Sequence, residues 1–582
     1  MRPLRRDIHA DPLLRYVLLL AVVSFGFGIW FRVPNFAGPD EYSRLIQPMK
    51  VAGRVVADPS FGSLQGAVTD GRTLGATFYL YAFVLAPIFV AILLTGQLGQ
   101  FVSLGGIASR WTLWHEAPAW FWTSAVLLGR VVSLLLGLAC IYLVYRLGVR
   151  IHDRWTGQVA AVGLALSFGF VESAHTINED IPMVFFLLST VLLCVRYIES
   201  GRRRTFLLAC FTAGTAVAFK LTGGSAVVAV GASYLLRAFR AEDRRAALIR
   251  PKMLTAGLVV GLVTILLGFP SVLVGGPGEL LTRVTHTTGQ KTTLPGGIVA
   301  GIEFWLLRGY LSSFGLALFL GVLVGVAETG RNLLRRTDGF DERVLLVATP
   351  IVVTLAVFSA WRYVRVHHLL PTLPLLLVLG ALGMRRLWDD WERGVRVGLA
   401  LLFVTSAVYT GVGDLRLATD PRDEATDWIQ TNADAEDTVE VYENSIADVA
   451  AVHGRPVAHY DYPEENATYN SSLVLNEWAY TEWMVSMPER RPAYIQLTAE
   501  ELHYITDGYP DAEQYPRRRA YVEGLLSGEY NYTVVETYGE RPTSQSLGQQ
   551  LFQAGVEPTP EIQEPYVVIL ARENETAADG QR

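Results

Sequence analysis

The sequence predicts a polytopic α-helical membrane protein, with about 11 transmembrane helices, that carries a C-terminal extracytoplasmic α/β domain. Three observations predict it. Apolar residues make up 51% of the 582 residues, yet long apolar runs fill only the first 413 or so and are absent afterwards, a division no single soluble domain has. Charge divides at the same place: from Asp420 onward 31 Asp and Glu face 10 Arg and no Lys, a balance of −21 within a total of −6, so the membrane part carries +15. Finally, basic residues collect in short loops between apolar runs, the mark of the cytoplasmic side.

The first apolar run, 14–31, is 18 residues long and uncharged apart from Arg15, enough for a helix to cross a bilayer. The basic start Met1 to Arg6 resembles a signal peptide, but no small-residue cleavage site follows, so this run is read as a retained span. An outer loop, 32–75, holds Pro39-Asp40-Glu41-Tyr42. The segment 76–104 is apolar enough to cross, but one crossing there would invert every later basic loop. It is read as embedded or re-entrant, with a two-pass hairpin broken at Gly96 or Gly99 as the alternative. Further spans are expected near 120–147, 157–171, 181–198, 204–219, 223–239, 254–275, 298–327, 344–360, 364–384 and 395–413. Between them lie the basic loops 146–154, 202–204, 237–252, 331–343 and 385–396. With the first run the total is 11, an odd number, which puts the N-terminus in the cytoplasm and the tail outside. The expected division is a membrane domain, 1–413, and an acidic α/β domain, 414–582.

Asn-x-Ser/Thr triplets at Asn466, Asn470, Asn531 and Asn574 occur only in the tail, in agreement with an outside location. Strands are expected at 438–442, 456–460, 493–497, 532–538 and 566–571, and helices at 425–430, 446–453, 477–487 and 515–526. Cys140, Cys194 and Cys210 lie in apolar runs and read as buried thiols, not as a disulfide or metal set. The acidic, Lys-free tail fits a high-salt, halophilic setting, although a GC-rich genome would also favour Arg over Lys. No phosphate loop, dinucleotide fingerprint or zinc spacing is present, and nothing points to nucleic acid.

With this topology four polar features face outward at the membrane surface. They are Asp40-Glu41; the stretch 172–180 with Glu172, His175, Glu179 and Asp180; Lys220 at the end of a span; and the turn 361–368 with Arg362, Arg365, His367 and His368. Ionisable groups at such depth are costly and usually face a cavity or a partner. Carboxylates can take a proton from an attacking hydroxyl or hold a divalent cation. Arg, Lys and His suit a phosphate, whose leaving charge they neutralise. Each has a plainer reading: headgroup anchoring for the 361–368 turn and Lys220, a satisfied structural histidine for His175. Trp111, Trp114, Trp120 and Trp122 read as an interfacial aromatic belt, His115 and His286 as structural, and the loop around His286 and Lys291 as a lid or a connector.

The acidic pair after the first span, the acidic second outer loop and the late Arg/His turn into a span containing Pro371 and Pro374 together resemble the polytopic glycosyltransferases of the GT-C fold. The nearest branch is the protein O-mannosyltransferase and aminoarabinose transferase type, which uses polyprenyl- or dolichyl-phosphate sugars. The resemblance covers 10–413. It implies that Asp40 is the general base with Glu41 supporting it, and that Glu179 or Asp180, with His175 beside them, has an auxiliary role. Arg362, Arg365, His367, His368 and Lys220 would contact the donor phosphate. The implied partners are a lipid-phosphate-linked sugar, an extracytoplasmic glycan, protein or lipid acceptor, and membrane lipids; no metal is assigned, a divalent cation being compatible but not required. Many relatives carry His-Pro-Pro after the acidic pair, which 69–74 lacks, and the Trp-Trp-Asp-Tyr-Gly signature of oligosaccharyltransferases is missing from the tail. The rival reading is a transporter or flippase of a charged lipid-linked substrate. Against it, no paired broken helices are evident and the acids sit at span ends.

Overall fold

The structure, a computed structural model, describes residues 2–69, 75–107, 109–281, 285, 300–335, 341–443, 445–461, 469–559 and 565–573, without the side chains of Arg2, Pro3, 469–476 and Pro510. Asn466, Asn574, the segment 70–74 and the His286–Lys291 loop therefore lie outside the described residues.

The helical part is built from α1 (Pro12–Gly26), α2 (Pro39–Ala57), α3 (Ala76–Leu94), α4 (Ala119–Ile151), α5 (Arg154–Ala165), α6 (Phe168–His175), α7 (Asp180–Ser200), α8 (Arg203–Phe219), α9 (Gly224–Phe239), α10 (Pro251–Gly268), α11 (Ile302–Arg335), α12 (Glu342–Phe358) and α13 (Leu373–Ala418). Among the described residues seven helices are long and apolar enough to cross a membrane, or up to nine if each bent pair is one span. The distance from the expected 11 has identifiable causes. Helices α8 and α12 are only 17 residues long, and α13 joins two expected spans across a break at Trp391 (φ −147°, ψ 61°). The apolar surface of these helices is left bare: in the α10 segment only 11% of the span window is buried, and Leu258 is 70% exposed. Such a surface is stable in lipid, not in water.

One end of the bundle gathers the basic loops. Arg146 pairs with Asp7, Arg150 and Arg343 with Glu199, Arg240 with Glu342, and Arg385 with Asp153. The Asp153 carboxylate also accepts the Thr156 N–H at 2.8 Å, capping α5. Two deliberate bends shape the other side. Helices α5 and α6 meet at 62°, and α11 kinks at Gly315, whose φ of 67° and 2.9 Å approach to the Tyr409 ring leave no room for a Cβ.

Helix α3 is a single 19-residue helix. It is itself one of the seven helices long and apolar enough to cross, unlike the embedded segment expected there, and beyond Gly96 (φ 72°) the next helix, Leu98–Leu104, has only seven residues. Tyr81 faces Gly129, and Leu85, Ile88 and Ile92 share a core with Phe121, Trp122, Ala125 and Val126. Helix α3 thus packs on the first turns of α4 rather than along its length.

The tail forms a five-stranded sheet in the order Val457–Ala458, Val439–Val441, Tyr494–Thr498, Val567–Arg572, Tyr532–Tyr538, the first three strands parallel and the last two pairings antiparallel. All five expected strands are present. The helix expected at 446–453 is instead one 3-10 turn, Ile446–Asp448, because its carbonyls are drawn into bonds with Arg32 and Arg422. The tryptophan belt is also corrected. Trp111, Trp114 and Trp122 are buried and, of the four, Trp120 is exposed; they fill the core between the bundle and the tail, where Trp111 and Trp114 meet the rings of His115, His453 and His459 in tilted and edge-on contacts. Burial, with the neighbouring histidines, pushes His115 down to about 4, so it stands as a neutral structural ring. The three cysteines are free and buried.

Candidate active site

The first turn of α2 sets the site. Pro39 opens the helix after Gly38, and Asp40 and Glu41 follow in the first turn, where the exposed N–H groups favour negative charge. The two carboxylates then part. Glu41 is 1% exposed. Its Oε1 accepts from Arg130 Nε at 2.9 Å and Ile177 N at 3.0 Å; its Oε2 accepts from Arg130 Nη2 at 2.8 Å and Ala37 N at 2.7 Å. Arg130 also donates to the Ile29 and Phe31 carbonyls, both at 2.7 Å. Glu41 is therefore walled in and joins the end of α1, the start of α2, α4 and the loop before α7. Both of its oxygens are thus taken by protein donors, and it lies behind Asp40 within the fold.

Asp40 points the other way, its side chain 53% exposed. One helical turn later Arg44, fully buried, places Nη1 3.1 Å from Asp40 Oδ1 and donates from Nε to Glu179 Oε2 at 2.6 Å. Lys220 Nζ in turn donates to both Asp180 oxygens, at 2.8 and 2.7 Å, and lies 4.0 Å from Glu179 Oε1. Asn178 Oδ1 caps the start of α7 by accepting from the Asp180 and Ile181 N–H groups at 3.0 Å, which fixes the two acids. The result is an alternating row, Asp40–Arg44–Glu179–Lys220–Asp180. Burial alone would pull the Lys220 ammonium down, but Asp180 and Glu179 outweigh it and, with Asp40 adding to them, hold it above its usual range.

The cationic turn meets this row through His367, which interacts electrostatically with Asp180. His368 is buried and accepts the Arg365 N–H on Nδ1 at 2.9 Å, so its Nε2 carries the proton that faces His367 Nε2 at 3.1 Å. His368 thus shapes the turn. Arg362 and Arg365 stand exposed on either side of Tyr363 and Val364. His175 is fully buried and sits between the carbonyls of Val171 (2.9 Å) and Phe27 (2.8 Å), binding α6 to the end of α1. Glu172 is buried on α6 within electrostatic reach of Tyr409.

The tail closes one side. A narrow crevice of about 10 Å³ is lined by Pro39, the residue before Asp40, with Tyr42, Arg110, Ser445, Ile446 and Ala447. Arg32, fully buried, holds that wall: its guanidinium donates to Val449 O at 2.6 Å and Ala447 O at 3.2 Å, and its N–H to Asp423 at 2.8 Å. Asn35 adds a bond to Ala451 O at 2.6 Å. Arg32, Arg44 and Arg130 are the residues sequence reasoning missed. For Arg130 a signal existed, since it is the one charged residue in 119–145 and such a group demands a buried partner. For Arg44 it was the one-turn spacing from Asp40. Among the described residues no group of three His, Cys, Asp or Glu side chains is placed to hold a metal ion.

Residues 123–269 match the family model described as dolichyl-phosphate-mannose-protein mannosyltransferase. The stretch contains Arg130, Glu179, Asp180 and Lys220, and the match bears out the resemblance to lipid-phosphate-sugar-dependent membrane transferases. No curated protein matches the chain by sequence. Among solved structures the chain is similar to the oligosaccharyltransferase of Archaeoglobus fulgidus in the apo form, with 15% identity over 85% of this chain and 70% of that one and a TM-score of 0.49. It is also similar to ArnT from Cupriavidus metallidurans bound to undecaprenyl phosphate, with 12% identity over 97% and 98% and a TM-score of 0.48. A third likeness is to arabinofuranosyltransferase AftD from Mycobacteria, with 16% identity over 96% of this chain and 42% of that one and a TM-score of 0.42. These likenesses are distant, and none assigns a role to a residue here.

Proposed function

We propose that the protein is a membrane glycosyltransferase that moves a sugar from a lipid-phosphate donor, polyprenyl or dolichyl, to an extracytoplasmic acceptor by inverting transfer. The observation that carries this is the contrast within the first turn of α2. Glu41 is saturated, whereas Asp40 is half-exposed, held by a buried arginine that ties it to the Glu179–Lys220–Asp180 row, and follows Pro39, which lines the crevice under the tail. Asp40 takes the proton of the acceptor hydroxyl as its oxygen attacks the anomeric carbon. The bond from that carbon to the phosphate oxygen breaks on the opposite face, and the lipid phosphate leaves carrying the electron pair. Lys220, with two of its three protons on Asp180, has a third for a phosphate oxygen, Arg365 and Arg362 supply further positive charge, and His367, accepting from His368 on Nε2, offers its Nδ1–H. The acceptor reaches Asp40 through the crevice under the tail, and the tail lies outside the cell with the N-terminus in the cytoplasm. The tail's −21 balance and lack of Lys support a high-salt habitat.

The test is transfer from a lipid-phosphate sugar to surface glycans in a deletion strain complemented with wild type or with Asp40→Asn. Transfer falling roughly 10²- to 10⁴-fold, the span removal of a general base usually costs, with the charged carrier accumulating, is the expected result. Full transfer by Asp40→Asn removes the base assignment, and unchanged glycans on deletion bring the flippase reading forward.

A further inference from the structure

The tail contains one helix that behaves unlike the rest of it. Helix α14 (Leu547–Val556) has no ionisable side chain in its ten residues, within a tail that carries 31 Asp and Glu. One face is docked on the bundle. The Gly555 Cα lies where a Cβ would meet Leu311 and Leu316 of α11 at 3.3–3.4 Å, the Ala554 carbonyl accepts from Tyr409 Oη of α13 at 2.8 Å, and Leu551 packs on the bundle core. The other face is apolar and bare at Phe552, 68% exposed, and Val556, 43% exposed.

Depth decides what covers that face. Leu311 lies nine residues in from the tail-side end of α11, and Tyr409 nine residues in from Ala418, the tail-side end of α13. At about 1.5 Å per residue, each contact is about 14 Å below the helix end. Helix α11, with 34 residues and a kink at Gly315, spans at most roughly 51 Å and overhangs a ~30 Å hydrocarbon core by at most about 10 Å at each end. The docking point therefore falls a few ångströms inside the core boundary. The span residues around it, Leu316, Val408 and Val412, are themselves exposed and apolar, so the bare face of α14 continues the lipid-facing belt of the bundle.

We propose that α14 lies in the outer interfacial layer of the bilayer, with Phe552 and Val556 in contact with lipid, so that the tail is seated on the membrane as well as on the bundle. Its polar face carries Gln549 and Gln553 and no Lys or Arg. Contact is then made through apolar area and does not depend on anionic headgroups.

The full chain, reconstituted in phosphatidylcholine vesicles, tests this with a nitroxide at Phe552→Cys or Val556→Cys and saturation by oxygen against a water-soluble nickel chelate. The native cysteines are buried, and the unsubstituted chain sets the background. A label at Glu540→Cys, on the exposed tail surface, is the reference for water. Expected is a several-fold preference for oxygen at 552 and 556 and for nickel at 540, unchanged when anionic lipid is added. Nickel access at 552 equal to that at 540 overturns the proposal. So does spin–spin broadening that vanishes on dilution with unlabelled chain, since a second copy then covers the face. Should Phe552→Cys fail to fold, Val556→Cys gives the same reading.

Discussion

A helix turns about 100° per residue, so two adjacent carboxylates in its first turn cannot share an environment. Asp40 and Glu41 are separated in this way, and different losses follow from neutralising each. Glu41→Gln leaves Arg130, 0% exposed, as a buried cation without its counter-charge, a defect that costs about 3–5 kcal/mol. The expected outcome is a lowered Tm and poor yield, read by thermal denaturation in detergent. Asp40→Asn keeps the Tm of wild type and loses transfer. If both variants keep the wild-type Tm and lose transfer alike, Glu41 acts on substrate and the buried arrangement is wrong. Lys220→Met removes a charge whose carboxylate partner remains and whose third proton faces the proposed phosphate. Donor binding weakens by about 1.5–3 kcal/mol, the worth of a charge-assisted hydrogen bond, seen as a raised KM for the lipid-linked sugar. Asp40, Glu179, Asp180 and Lys220 were legible because span counting put them at one end of the bundle. Which of them reaches solvent was not, because that depends on Arg44 and Arg130, whose partners lie 135 and 89 residues away in the chain.

Elements were legible where periodicity is self-sufficient. The long apolar helices and the five tail strands need only their own side chains to declare themselves. The failures came where a distant group decides the local backbone, as at 446–448, whose carbonyls are taken by Arg32 and Arg422, or where the apolar content is thin, as in Leu547–Val556. Another tertiary effect sits at the helix Ala499–His503, which follows the strand Tyr494–Thr498. Thr498 N and Oγ1 both donate to Glu501 Oε2, at 2.7 and 2.8 Å. Burial, with Glu500 repulsion outweighed only in part by those bonds, pushes the Glu501 carboxyl up to about 7 from its usual 4.5. A carboxyl raised in the folded state contributes stability that is full below 4.5 and is lost as the pH climbs through 7. Glu443 and Asp448 are shifted in the same direction, chiefly by burial. The tail is expected to melt at a lower temperature at pH 8 than at pH 5, and Glu501→Gln to reduce that difference. A wild-type Tm that rises from pH 5 to pH 8 contradicts the burial of these groups.

At the scale of the whole molecule, the boundary between apolar and acidic sequence is not a boundary in the packing. Phe36, Tyr42, Trp114 and Phe121 of the membrane part share one hydrophobic core with Ile429, Val439, Val441, Ile446 and Ile569 of the tail. His453 Nε2 reaches the Trp114 and Ala117 carbonyls at 2.8 and 2.9 Å. Composition separates the two parts because it registers solvent, lipid or water; it is silent on the shared core because a buried side chain reads the same on either side. Arg32 is the polar counterpart of that core, since it comes from the end of the first span and satisfies carbonyls 414 to 417 residues away. Replacing it with alanine leaves those buried acceptors and Asp423 without donors, at about 1–3 kcal/mol for each acceptor left unsatisfied. The tail should loosen while the Asp40–Arg44–Glu179 row, which does not touch Arg32, keeps its geometry. Arg32→Ala is therefore expected to release a tail fragment in limited proteolysis that resists in wild type. It should also lose transfer to acceptor several-fold more than hydrolysis of the lipid-linked donor, because the tail wall borders the crevice proposed for the acceptor while the donor phosphate is proposed to sit at Lys220. Equal loss of both reactions with an unchanged proteolytic pattern would place the acceptor elsewhere and leave Arg32 a purely structural clamp.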